Sequence, residues 1–236
     1  MIRLDKFLTD MGCGTRSVIK NLVHKGKVSV NGEVIKKPEI KINEDEDVVL
    51  LDGEEIKYNR YEYFMLNKPD GYVSATTDRN EKTVLDLLKA EDRRKDLFPV
   101  GRLDKDTEGL LVISNDGEMA HKILSPKNHI AKTYYVKVNG RIENEHIEIF
   151  EKGIDIGEKN ITKPGILKII KSSDISEAEL TIYEGKFHQI KRMFEAVGMK
   201  VVYLKRIKMG TLGLDETLKP GEYRRLTLEE TEQLKG

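Results

Sequence analysis

The chain has 236 residues, 38% hydrophobic and 35% charged, which predicts a globular protein with room for two domains and a sizeable core. Its 41 basic and 41 acidic side chains cancel, which argues against a generic polyanion binder, and the single cysteine, Cys13, excludes an internal disulfide and a cysteine-rich zinc site. No apolar run approaches the roughly 20 residues that cross a bilayer, and Met1 to Asp5 lacks the apolar core of a secretory signal, so a cytoplasmic protein with no membrane partner is expected.

The first fifty residues predict a small module. Leu4, Phe7, Leu8 and Met11 fall at i, i+3, i+4 and i+7, which predicts an amphipathic helix over residues 3–11 that Gly12 ends. Thr15 can cap a second helix with Val18, Ile19, Leu22 and Val23 inward and Arg16 and Lys20 outward, stopped by Gly26. Val28-Ser29-Val30 alternates into Asn31-Gly32, a strong hairpin signal. Basic residues outnumber acidic ones from Arg3 to Lys41, with acidic compensation from Glu44 to Asp47. The pattern leaves these cations open to two readings, ordinary solubility or contact with a shaped polyanion.

Domain boundaries are expected at 1–52 for this module, 53–61 for a linker and 62–236 for a larger domain. In the latter, Tyr63 to Leu66 reads as a strand, Asn67 to Gly71 as a turn and Tyr72 to Ser74 as another strand. Thr83 caps a short helix through Leu88, and a further helix follows Gly117. Residues 131–138, 166–171, 178–183 and 201–206 are rich in Tyr, Val and Ile and read as strands. Thr227 and Glu230 form a capping box for a last helix through Leu234. The fold class is α+β, a mixed and mainly antiparallel sheet with flanking helices.

Gly101-Arg102-Leu103-Asp104-Lys105-Asp106-Thr107-Glu108-Gly109 is a charged loop pinned between glycines and running into the apolar strand Leu110 to Ile113. It has three readings: a solvated turn, a metal site from Asp104, Asp106 and Glu108, or a fixed carboxylate at Asp104 kept ionised by nearby cations. From Tyr183 to Val197, a turn at Glu184-Gly185-Lys186 and then His188-Gln189 lead into a helix whose inner face is Ile190, Met193, Phe194 and Val197. Lys191 and Arg192 in its first turn oppose the macrodipole, which is easier to understand if an anion lies there. Tyr134 and Tyr135 project from opposite faces of one strand.

Arg3-Leu4-Asp5-Lys6-Phe7-Leu8, Gly14-Thr15-Arg16 and Gly26 to Gly32 resemble the S4 RNA-binding domain, with Thr15 where that family usually has Ser. The resemblance implies that Arg16, Lys20 and Lys25 contact RNA backbone rather than read bases. Leu66-Asn67-Lys68-Pro69 with Gly71, Gly101-Arg102-Leu103-Asp104 with Thr107 and Gly109, Lys132-Thr133-Tyr134, and Gly185 to Met193 together resemble the pseudouridine synthase superfamily and, within it, the RsuA family. The motifs occur in family order and span nearly the whole chain. Thr162-Lys163-Pro164 and Pro220-Gly221-Glu222-Tyr223 are similar to the family members that modify 16S ribosomal RNA.

This resemblance implies glycosidic cleavage, rotation of the base and reattachment through C5, with no cofactor and no metal. It gives Asp104 the role of essential carboxylate, by attack on the sugar or by elimination and re-addition. Tyr134 is implied to stack on the base and assist proton movement, and Lys191 to pair with Asp104. Arg102 is implied to hold the flipped nucleotide out of its stack, and His188 and Arg192 to contact RNA. The implied partner is 16S RNA or a small-subunit assembly intermediate, with uridine 516 as target and a monomer as the acting form. Rival readings are a sister synthase acting on 23S RNA, a non-catalytic RNA-binding assembly factor, and a metal-dependent nuclease.

Overall fold

The computed structural model describes residues 1–235 and divides into two compact units, Met1–Tyr61 with Lys89–Asp96, and Glu62–Leu88 with Leu97 onward. In the first, β1 (Ile2–Arg3) runs into α1 (Leu4–Asp10), which buries Leu4, Phe7 and Leu8 as their spacing predicts. In α2 (Arg16–His24) the Thr15 hydroxyl accepts from the Val18 amide at 3.4 Å, and Ile19 and Val23 are buried. Val18 was expected inside but is exposed. It lies about 100° around the helix from Ile19, beyond the stripe that a single packing partner covers. Arg16, Lys20 and Lys25 are all exposed.

The hairpin of β2 (Val28–Val30) and β3 (Glu33–Val34) turns through Asn31 and Gly32 with φ 52° and 85°, the positive values a tight two-residue turn demands. Next come β4 (Lys41–Ile42), which pairs with β1, then β5 (Val49–Leu51) and β6 (Glu54–Ile56), which complete a sheet of order β3-β2-β5-β6. The stretch expected as a linker therefore carries a strand. Asp52-Gly53, with φ 50° and 89°, is a second hairpin turn of the same chemistry as Asn31-Gly32.

The second unit is built on one sheet. Its strands are β7 (Tyr63–Lys68), β8 (Phe98–Val100), β9 (Glu108–Ser114), β10 (Lys132–Asn139), β11 (Ile166–Lys171), β12 (Ile175–Ile182), β13 (Lys200–Met209), β14 (Leu212–Gly213) and β15 (Tyr223–Arg225). The main path is β11-β12-β10-β13-β9-β7-β15, with β14 on β13 and β8 on β9. Only β9 and β13 run parallel, so the sheet is mixed and mainly antiparallel as expected. Tyr72 to Ser74 forms no strand, only a bridge from Val73 to Thr83, and the helix expected after Thr83 is a single 3-10 turn at Val84–Leu87.

Four helices cover the sheet: α3 (Gly117–Leu124), α4 (Asn144–Lys152), α5 (Gln189–Ala196) and α6 (Leu228–Lys235). Phe150 of α4 and Ile190, Met193 and Phe194 of α5 pack with Leu66, Leu111, Tyr134, Val136, Leu180 and Leu204 on one face. Met119 and Ile123 of α3 and Leu234 of α6 pack with Met65, Leu110 and Val112 on the other. Among the described residues no helix is long and apolar enough to cross a membrane.

Candidate active site

The loop from Gly101 to Thr107 joins β8 to β9, and three groups of the preceding segment hold it. The ammonium of Lys68, at the end of β7, is wholly buried and donates to the carbonyls of Pro69, Lys105 and Thr107 at 3.0, 2.9 and 2.9 Å. Burial pushes its pKa down to about 8, although the carboxylates of Asp70, Asp106, Glu108 and Asp104 pull the other way. The Gly71 amide donates to the Lys105 carbonyl at 3.0 Å. The Ser74 hydroxyl donates to the Leu103 carbonyl at 2.9 Å and accepts from the Leu103 amide at 3.1 Å. Backbone on both sides of Asp104 is thus pinned from one direction.

Gly109 seats the loop's other end. Its φ is +98°, and a Cβ there would stand 2.2 Å from the carbonyl oxygen of Arg206, so the parallel contact of β9 with β13 needs a residue without a side chain.

Opposite the loop stands the start of α5. Lys191 Nζ lies 3.3 Å from Asp104 Oδ2 and, closer, 2.6 and 2.8 Å from the two oxygens of Asp106. Burial alone would lower the pKa of Lys191. The hydrogen bond with Asp106 and the charges of both aspartates outweigh it and raise the pKa above its ordinary value. Asp106 shows the reciprocal effect, since burial raises its pKa but the Lys191 contacts win and lower it. The anions anticipated at this basic first turn are therefore supplied by the loop itself. His188 caps the helix in a left-handed conformation, φ 49°, which brings Nε2 to 3.7 Å from Asp104 Oδ1.

Tyr134, on β10, is buried and lines the same cleft of about 90 Å³ as Arg102, Asp104, His188, Lys191 and Leu204. Tyr135 projects from the opposite face, where its hydroxyl donates to Glu177 and its ring meets Tyr203 edge-on. Arg102 is exposed at the rim and makes no polar contact among the described residues.

Arg192, expected on RNA, directs its guanidinium to Glu158 Oε1 at 2.7 Å, to the Phe187 carbonyl at 3.0 Å and to the Ile156 carbonyl, which ties α5 to the segment that carries Glu158. The carboxylates of the metal reading diverge: Asp106 faces Lys191, while Glu108 accepts from the Tyr203 hydroxyl at 2.8 Å. Sequence reasoning also missed the part played by Asp106, Lys68 and Ser74. Lys68 stood inside a quoted motif without a role, and Asp106 looked like a spare surface acid.

A family model described as RNA pseudouridylate synthase matches residues 62–196, and one described as S4 domain matches residues 2–49. The chain belongs to the RNA pseudouridylate synthase family. Relatives of this synthase include the uncharacterized RNA pseudouridine synthase YtzG of Bacillus subtilis, 46% identical over 97% of the chain and 96% of the relative. Ribosomal small subunit pseudouridine synthase A of Vibrio cholerae is 44% identical over 97% of each chain, and that of Escherichia coli 40% identical over 97% and 98%. A crystal structure described as pseudouridylate synthase aligns with a TM-score of 0.68 at 39% identity, covering 99% of this chain and 100% of the other. The synthase is an isomerase, and Asp104, Tyr134 and Lys191 are gathered in one cleft of its second unit.

Proposed function

We propose that this synthase converts uridine 516 of 16S ribosomal RNA, free or in an assembling small subunit, to pseudouridine, acting as a cytoplasmic monomer. The observation that carries this reading is the pinned Asp104 carboxylate, 3.3 Å from the Lys191 ammonium in a cleft shared with Tyr134. The likeness to small-subunit synthases over nearly full length supports the choice of RNA.

The target base must leave its stack to reach such a cleft, which costs a few kcal/mol and favours a loop or bulge. Arg102, exposed at the rim, fills the gap or meets a phosphate, while Arg16, Lys20 and Lys25 bind RNA backbone from the S4 unit. In the cleft the N1–C1′ bond breaks, uracil turns, and a C5–C1′ bond forms; C5 gives up its proton and N1 gains one. Atoms balance without oxidant, cofactor or metal. Asp104 either bonds to C1′ or takes a sugar proton to start an elimination, and Lys191, 3.3 Å away, orients it for both routes. Tyr134 stacks on the uracil and relays the C5 proton.

The test incubates wild type and Asp104→Asn with unmodified 16S RNA, free and in partly assembled particles, with a chelator present, and maps pseudouridine by adduct formation and primer extension. One stop at the target that disappears in the variant is expected. No stop in 16S RNA would overturn that substrate; the same assay on 23S RNA would then give a stop for a sister synthase and none for an RNA-binding assembly factor.

A further inference from the structure

Phe187 is 74% exposed, yet its ring is not adrift. It stacks on the imidazole of His188, centroids 3.8 Å apart and planes 19° from parallel, and His188 lines the cleft beside Asp104. The backbone on either side is fastened. The Phe187 carbonyl accepts from Arg192 at 3.0 Å, and the Lys186 amide donates to Gln189 Oε1 at 2.9 Å. His188 itself holds a left-handed conformation, φ 49°.

One phenyl face is therefore covered by the imidazole of a cleft-lining side chain, and with the residue 74% exposed the ring is otherwise open to solvent. An isolated exposed phenylalanine is unremarkable. A pre-stacked one whose covered face belongs to a cleft-lining side chain needs a planar partner for the open face. A single ring offers roughly 150–250 Å², far below the ~800 Å² a side that a stable protein interface buries, so a protein partner does not fit. An RNA base does, because every base has an apolar face and the nucleotides next to a flipped one have lost a stacking neighbour.

We propose that Phe187 is a nucleobase platform: the base of a nucleotide flanking the target uridine stacks on its open face, so that Phe187 and His188 continue the RNA stack at the rim of the cleft. This rests on the reading of the protein as an RNA uridine isomerase and adds a subsite to it. Stacking of this kind tolerates any base, so the subsite holds the strand open and sets the register without dictating sequence.

The test uses the full chain and a 16S RNA fragment carrying 2-aminopurine one nucleotide 5′ or 3′ of the target uridine. Binding of wild type should quench one of the two probes. Phe187→Leu keeps apolar bulk but removes the ring; it should abolish that quench and raise KM by about 5- to 100-fold, with a smaller change in kcat. Phe187→Tyr should restore the quench, and thermal melting should find all three proteins folded. Equal quench and equal KM in wild type and Phe187→Leu would overturn the platform. If wild type forms no pseudouridine in the fragment, the assigned RNA is wrong, and the same comparison on 23S RNA decides Phe187.

Discussion

The ammonium of Lys191 holds both carboxylate oxygens of Asp106, at 2.6 and 2.8 Å, and stands farther, 3.3 Å, from the neighbouring carboxylate of Asp104. The ammonium proposed to serve the reaction is thus shared, and its shorter contacts go to a residue to which the proposal gives no chemical role. A raised pKa means that Lys191 stays charged throughout the neutral range and releases its proton only above the ordinary 10.5.

Removing Lys191 should therefore do more harm than removing Asp106. Lys191→Met leaves two close carboxylates without their cation and should lower kcat/KM by about a hundredfold or more. Asp106→Asn leaves Asp104 as the one carboxylate facing the ammonium and should cost under about tenfold, while lowering the pKa of Lys191 by loss of the Asp106 charge. Steady-state kinetics of the two variants on one RNA would decide. Equal losses would mean that Asp106 acts on the substrate.

Lys68 gives a pH dependence with opposite signs in stability and activity. Its folded pKa of about 8 lies below the ordinary 10.5, so between those values the unfolded chain holds a proton that the folded one has released. Stability from this group therefore rises with pH across that window, by on the order of 3 kcal/mol. An uncharged amine has only two N–H bonds for the carbonyls of Pro69, Lys105 and Thr107, so the loop bearing Asp104 loosens as the proton leaves. Activity should fall through about pH 8 while the urea midpoint holds or climbs. In Lys68→Met both trends should flatten, and an alkaline loss that survived there would belong to another group.

Legibility followed the distance over which a signal acts. Leu4, Phe7 and Leu8 announce their helix by spacing, and Asn31-Gly32 announces its turn by the positive φ it tolerates. Asp52-Gly53 carries the same turn signal, yet residues 53–61, following the acidic stretch Glu44 to Asp47, read as a linker. Helix α4 shows only a short apolar face, Phe150 buried and Ile147 half-buried one turn before it, among seven polar or exposed residues, too little to mark a helix by spacing. Asp104, Tyr134 and Lys191 were reached through family motifs. The preference of Lys191 for Asp106, 85 positions away in the chain, is a matter of side-chain reach across a fold and has no trace in local spacing.

Ser74 should behave as a positioning residue. Ser74→Ala leaves the Leu103 amide and carbonyl without their hydroxyl partner at a buried place, destabilising by about 1–3 kcal/mol. Because Leu103 precedes Asp104, the displacement should reach the carboxylate and lower kcat about tenfold or more with little change in KM. A denaturation curve and saturation kinetics on the same preparation separate the two effects. A destabilised variant with unaltered kcat would show that Ser74 serves folding alone.

Gly109 leaves no room for a side chain. Alanine there would place a methyl group 2.2 Å from the Arg206 carbonyl at a φ of +98°, so β9 and β13 must separate or the backbone must leave its conformation. Gly109→Ala should cost more than about 3 kcal/mol, read as a drop in the urea midpoint, with loss of activity following the loss of fold. A fully stable Gly109→Ala would mean that the two strands are not packed at this separation.

The S4 unit can be tested apart from the chemistry by the salt dependence of binding. Each phosphate contact on single-stranded RNA steepens the fall of log K with log salt by about 0.7, through release of a bound counterion. Lys20 and Lys25 are exposed cations proposed to make one such contact each. Replacing both by glutamine should flatten the slope by about 1.4 and weaken binding at low salt most, while the rate at saturating RNA stays near that of wild type, because neither residue belongs to the unit that holds Asp104. Filter binding over a salt series, paired with single-turnover rates, measures both. Unaltered slopes would remove the two lysines from the RNA-binding face and leave their charge to solubility.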